Sequence, residues 1–113
     1  MSRQLSGLRA WVVQRLSALY IGLFLVSAGA VLLIEGPPDS YQHWLALFSD
    51  PLLNLAMQVF VIAVLLHAWV GIRDVILDYL QPLALRFSAL GLVALGLLGC
   101  GLWAIRVLFN TLG

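Results

Sequence analysis

Lysine is absent from this chain, and charge of either sign is scarce: six arginines and five acids among 113 residues, 10% of the sequence. A soluble domain of this length needs far more polar surface than that. Cysteine occurs once, at Cys100 inside an apolar run. One thiol without a partner in the chain excludes an internal disulfide and a cysteine-held iron–sulfur cluster, and reads as a small packing residue. A glycine-rich phosphate-binding loop is missing as well. Lacking a soluble domain, a nucleotide loop and cluster cysteines, the chain is not an enzyme on its own. It is also too short for a receptor or a transporter of usual size.

What remains is apolar. Hydrophobic residues make up 63% and the mean hydropathy is +1.05. Long apolar runs separated by short polar breaks indicate membrane-spanning helices. The expected fold is all-α, an integral membrane protein with three transmembrane helices at about 16–34, 52–72 and 87–109, forming one membrane-anchor domain over 1–113. The first run follows Arg3, Arg9 and Arg15, as a signal peptide would, but it is too long for a signal core and no small-residue cleavage site follows. It reads as a retained span. Gly36, Pro37 and Pro38 stop it. Tyr41, Trp44 and Phe48 then suit a short interfacial helix, and Asp50-Pro51 reads as cap and first residue of the next helix. That helix is expected to continue through Asp78 until Pro82 interrupts it. Gly91, Gly96, Gly99 and Gly101, with Ala18 and Gly22, read as close-packing positions.

The arginines also orient the chain. Arg3, Arg9 and Arg15 precede or enter the first span, and Arg73 and Arg86 flank the second loop. The first loop carries Glu35, Asp39 and Asp50 and no cation, and Arg106 is the exception near the C-terminus. By the positive-inside rule the N-terminus is cytoplasmic and the C-terminus periplasmic.

With so few polar groups, their placement is informative. At about 100° per residue, His67, Gly71, Asp74 and Asp78 fall within roughly 60° of one another on a helix. His67 lies about 7–8 Å inside the cytoplasmic edge if the second span ends at Ile72. An ionisable group at that depth is costly unless partnered. A neutral imidazole there can ligate haem iron, relay protons or hydrogen-bond a neighbouring helix. Gly71, one turn away, leaves room for a flat macrocycle. A six-coordinate haem would need a second ligand from another chain, because His43 lies across most of the bilayer. Arg15 is at a depth to pair with a haem propionate or to reach lipid phosphates. Tyr79 is a suitable donor to a quinone carbonyl and Asp78 a suitable source of protons, although both also fit an ordinary interface anchor and a solvated helix end.

The run 67–79, with His67-Ala68-Trp69, Gly71, Val75, Asp78 and Tyr79, resembles the smaller hydrophobic anchor subunit of bacterial succinate dehydrogenase (complex II). The likeness continues through Pro82-Leu83-Ala84-Leu85-Arg86, Arg15-Leu16-Ser17-Ala18, the three-span layout and the length, and so covers nearly the whole chain, although only the His-to-Tyr run is specific. The resemblance implies a membrane anchor in the respiratory chain and tricarboxylic acid cycle, in the bacterial inner membrane. It implies that His67 is one axial ligand of a b-type haem, the other coming from a companion anchor subunit. Tyr79 would hydrogen-bond ubiquinone with Asp78 in the same site, and Arg15 would lie near the haem propionates. A flavoprotein and an iron–sulfur subunit would sit on the cytoplasmic face, with lipid and no nucleic acid as the other surroundings. The segment Gly7-Leu8-Arg9-Ala10-Trp11 carries no motif that can be matched to the family, and Arg73 and Asp74 occupy variable positions, so no role passes to them. Three other readings stay open: a homo-oligomeric b-type cytochrome, a purely structural anchor or assembly protein with His67 as interhelical glue, and a haem-free fumarate reductase anchor.

Overall fold

Hydropathy and helix punctuation divide the chain as expected, with one difference at the start. The computed structural model describes residues 2–112, and side chains from Gly7 onward; the side chain of Arg3 lies outside the described residues. Four helices follow in order: α1 (Ser2–Glu35), α2 (Tyr41–Ser49), α3 (Pro51–Tyr79) and α4 (Leu83–Thr111). α1, α3 and α4 are long and apolar enough to cross a membrane, and the described residues contain no strand.

α1 begins well before the apolar run. Its first turns hold good helix formers and no proline, so the helix extends into the polar segment rather than starting with the hydrophobic residues. It ends where Gly36 takes the left-handed conformation (φ 81°) and returns its N–H to the Leu32 carbonyl at 2.9 Å. Ser40 caps α2 by accepting from the His43 N–H at 3.1 Å. Asp50 caps α3 through the Leu52 N–H, with Pro51 at the first helical position. Leu80 and Pro82 are extended, which breaks α3 from α4.

α3 is the central element. α1 packs on one side of it and α4 on another, while α2 lies against α3 and α4; among the described residues α1 and α4 do not touch. α1 and α3 are held by stacked Phe24 and Phe60 (centroids 4.4 Å apart) and by the Tyr20 hydroxyl donating to the Ala56 carbonyl at 2.7 Å. α4 approaches α3 closely at Gly101, where an added Cβ would collide with Leu65 Cδ1. Gly22, Gly91, Gly96 and Gly99 face open space instead. A glycine lets a helix approach only where the helix faces a neighbour, and most of the α4 circumference faces outward.

The buried apolar core is small: Ala63, Val70, Ile76 and Leu108. Most large apolar side chains point outward, including Leu23, Leu33, Leu52, Leu92 and Trp103. In water such a surface would drive aggregation; in a bilayer it is the surface lipid and partner helices require. The molecule measures 50 × 24 × 21 Å, so its long axis matches the ~40–45 Å of a bilayer with its headgroups.

Candidate functional site

His67 sits on the face of α3 that α1 covers. Its imidazole is half-buried, and Nδ1 lies 3.2 Å from the hydroxyl of Ser17 on α1. Ser17, only 7% exposed, also donates to the Gln14 carbonyl of its own helix at 3.1 Å. Among the described residues Nε2 of His67 has no hydrogen-bond partner. One turn along, Gly71 faces Gln14, whose Nε2 is 3.8 Å from where a Cβ would stand. Gln14 therefore occupies part of the gap that Gly71 opens. Its Oε1 is buried without a hydrogen bond among the described residues.

The helix then carries the polar face onward. Twelve residues beyond His67, about 18 Å at 1.5 Å per residue, Tyr79 closes α3 with 78% of its surface exposed. Asp78 beside it is exposed as well. Arg86 on α4 fixes this last turn: its guanidinium donates through Nη2 to the Leu77 carbonyl at 2.9 Å and through Nε to the Leu80 carbonyl. The last carbonyls of a helix lack intrahelical donors and attract cations. Arg86 meets both requirements and so positions the turn that bears Asp78 and Tyr79.

Over residues 1–85 the sequence matches the family described as the succinate dehydrogenase/fumarate reductase transmembrane subunit. The succinate dehydrogenase hydrophobic membrane anchor subunit of Coxiella burnetii (strain RSA 493 / Nine Mile phase I) is 36% identical over 103 residues, 91% of this chain and 89% of that protein. The chain belongs to this family of transmembrane subunits. The matched segment contains α1 to α3 and every candidate site residue. Family membership makes the chain a multi-pass membrane subunit of such an enzyme, without catalytic activity of its own, in association with other subunits.

Within this subunit the candidate residues fall into separate groups. Ser17 and His67 meet; Asp78 and Tyr79 share the α3 terminus; Arg15 joins neither. Arg15 is two positions from Ser17 and therefore some 200° around α1 from it. Its guanidinium lies over the Trp11 ring, 5.5 Å from the centroid, a cation–π contact one turn apart. In depth, though, it is only about 3 Å along the axis from the Ser17–His67 contact. Asp74 pairs with the adjacent Arg73 at 3.2 Å, an exposed contact of little energetic consequence. His43 on α2 pairs with Asp39 (3.4 Å) just before that helix, at the opposite end of the molecule from Tyr79.

The donor set suits a haem iron. A histidine ligand must be neutral, with one ring nitrogen free and, as a rule, the other hydrogen-bonded. His67 has that arrangement, with Nδ1 on Ser17 and Nε2 unengaged. An apolar groove between α1 and α3, lined by Val13, Leu16, Ser17, Tyr20, Ile62 and Leu66, lies alongside the contact. A second ligand is not within reach: His43 is more than 20 residues away in sequence, and the part of α3 before His67 alone spans about 24 Å.

Ser17, Gln14 and Arg86 are contributions that inspection of the polar face of α3 does not find. The signal for Ser17 and Gln14 is a hydroxyl and an amide three residues apart near the start of an apolar run. Which helix they face is decided only by the packing.

Proposed function

We propose that this chain is the smaller anchor subunit of a succinate:quinone oxidoreductase, with His67 as one axial ligand of a b-type haem and Tyr79 and Asp78 as part of the ubiquinone-reduction site. The single observation that carries this reading is the half-buried His67, Nδ1 engaged and Nε2 open, in a chain of this family. An imidazole used only as glue would gain by engaging both nitrogens, since a polar atom left unpaired away from water is costly. A second ligand would come from a companion anchor subunit.

When bound, the haem supplies a one-electron redox centre within the membrane. Nε2 of His67 offers the lone pair that holds it, and the exposed Arg15 is the cation at the right depth for a propionate. Tyr79 donates its phenolic hydrogen to a quinone carbonyl, which orients the ring and favours negative charge on that oxygen. Asp78 passes protons from water to the quinone as it is reduced. Flavoprotein and iron–sulfur subunits oxidise succinate and deliver the electrons. The arginine distribution supports an N-terminus and an α3–α4 turn on the cytoplasmic side, where those soluble subunits would dock, and the resemblance supports a bacterial inner membrane.

The test is a reduced-minus-oxidised spectrum of the detergent-purified assembly with its subunits resolved, for the unaltered chain and for His67→Ala. A b-type band with soluble partners present, lost or displaced in His67→Ala, is the expected result. An unchanged band in His67→Ala overturns the ligand assignment. A band with this chain alone identifies a homo-oligomeric cytochrome, and no band at all leaves a structural or haem-free anchor.

A further inference from the structure

Ser17 is one of two buried polar side chains in the described structure, and neither spacing nor periodicity marks it. Its hydroxyl lies 3.1 Å from the Gln14 carbonyl and 3.2 Å from His67 Nδ1. A hydroxyl has one hydrogen to give. A carbonyl can only accept, so when both contacts are hydrogen bonds the hydrogen goes to Gln14. The serine oxygen must then accept from a hydrogen on Nδ1. In a neutral imidazole a hydrogen on Nδ1 leaves Nε2 with its lone pair. The opposite tautomer, with Ser17 donating to Nδ1, sacrifices the Gln14 contact and places a hydrogen on Nε2, where no described residue accepts it. One proton arrangement therefore satisfies both contacts, and it is the one a metal ligand needs.

We propose that Ser17 is the positioning residue for His67. By accepting from Nδ1 it fixes the ring's orientation and tautomer, aims Nε2 as the electron-pair donor and raises the basicity of that nitrogen. This rests on His67 being a haem ligand. The contact spans two helices, so the packing of α1 on α3, with Phe24 on Phe60 and Tyr20 on the Ala56 carbonyl, sets the ligand's orientation as well. Gln14 contributes through its carbonyl rather than its side chain. Serine bonding back to the preceding turn of its helix is a familiar geometry, and here it turns the hydroxyl's lone pairs toward α3.

A hydrogen bond received by Ser17 makes the imidazole a stronger donor, and a stronger donor favours ferric over ferrous iron. In the assembled complex Ser17→Ala removes the acceptor while hardly changing volume. The expected result is a more positive haem midpoint potential in a redox titration, an altered low-spin ferric signal in electron paramagnetic resonance, and haem loss to an apo-haemoprotein scavenger faster by about 10–100-fold. Ser17→Thr keeps the hydroxyl and restores all three toward the unaltered values. If the alanine variant does not assemble, Ser17→Cys serves, since its sulfur is a weak acceptor and the potential should again rise. A potential and ferric signal in Ser17→Ala or Ser17→Cys equal to the unaltered complex overturn the proposal. Equal displacement in alanine and threonine variants also overturns it, because that is the mark of packing rather than of an acceptor. His67→Ala is run alongside: if it keeps the unaltered spectrum, haem ligation itself has failed, a result distinct from the failure of Ser17.

Discussion

The polar groups at the two ends of α3 are handled in opposite ways. At the end closed by α2, Asn54 is 0% exposed. Its amide nitrogen, with two hydrogens to give, lies 2.7 Å from the Phe48 carbonyl, 2.8 Å from the Leu108 carbonyl and 3.0 Å from Thr111 Oγ1, while its oxygen accepts from Gln58 Nε2 at 2.7 Å. Phe48 and Leu108 lie in the last turns of α2 and α4, whose carbonyls lack intrahelical donors. One side chain on α3 thus caps two other helices, and the Thr111 hydroxyl, within reach of both carbonyls, gives its one hydrogen to one of them at a time. Every polar atom of Asn54 is engaged inside the chain. At the other end, Nε2 of His67 and Oε1 of Gln14 have no partner among the described residues, Nε of Arg73 is buried and unpaired, and Tyr79 stands in the open. Closed networks hold a fold together. An exposed phenol or an unengaged ring nitrogen is instead free to meet a group from outside the chain, which the buried Gln14 Oε1 and Arg73 Nε are not.

That contrast can be broken by experiment, and the closed end should respond most in stability. Asn54→Ala leaves Gln58 and two helix-terminal carbonyls short of a partner, and a lost buried bond of this kind costs about 1–3 kcal/mol. Thermal unfolding of the purified assembly should register that loss while the haem spectrum stays unchanged. A shifted haem potential with unaltered stability would reverse the roles of the two ends. Midway along the bundle, Tyr20→Phe removes one interhelical bond to the Ala56 carbonyl. Bonds of this sort within membranes average about 0.6 kcal/mol, so its loss should be smaller than that of Asn54. A loss as large as that of Asn54 would mean that the α1–α3 seam, not the three-helix clamp, dominates stability.

The legibility of this chain follows the same division. Helix number, the Asp50-Pro51 start, the short helix beginning near Tyr41 and the stop before Pro82 are all written in local chemistry, and the helices follow it. The early start of α1 is not, because arginine, glutamine and leucine favour helix as readily outside an apolar run as within it. His67, Asp78 and Tyr79 stand out because polarity is rare around them and because the His-to-Tyr run resembles a family to which the chain does belong. Asn54 and Gln58 were equally rare and share a helix face at four-residue spacing, which could have marked them. Their targets could not be read: Leu108 and Phe48 offer backbone carbonyls, and no side-chain pattern announces those. Ser17 and Arg86 lie in stretches that carry the resemblance, but their contacts were hidden for the same reason. A helix apolar on all sides has no periodicity to say which face meets which neighbour, so partners across helices emerge only from the packing, and within this chain Gly101 is the α4 glycine that makes a close contact.

The smallest expected change in stability tests the open end most sharply. Tyr79 is 78% exposed and makes no hydrogen bond among the described residues, so Tyr79→Phe should move stability by no more than about 0.5 kcal/mol. If the phenol donates to a quinone carbonyl, the same change forfeits a bond of about 0.5–1.5 kcal/mol, or roughly two- to tenfold in the rate of quinone reduction. Haem content and succinate-driven reduction of a soluble artificial acceptor should stay near their unaltered values, since neither needs the phenol. Parallel loss of both activities would indicate faulty assembly and place Tyr79 with the structural groups. Selective loss would place it with the proposed ligand role of His67, as a side chain that acts on a partner outside the chain. Arg86 supplies the internal control: Arg86→Gln loosens the last turn of α3 without touching the hydroxyl, so a quinone defect that exceeds its stability defect would show that the turn's placement, and not the phenol alone, sets the reaction.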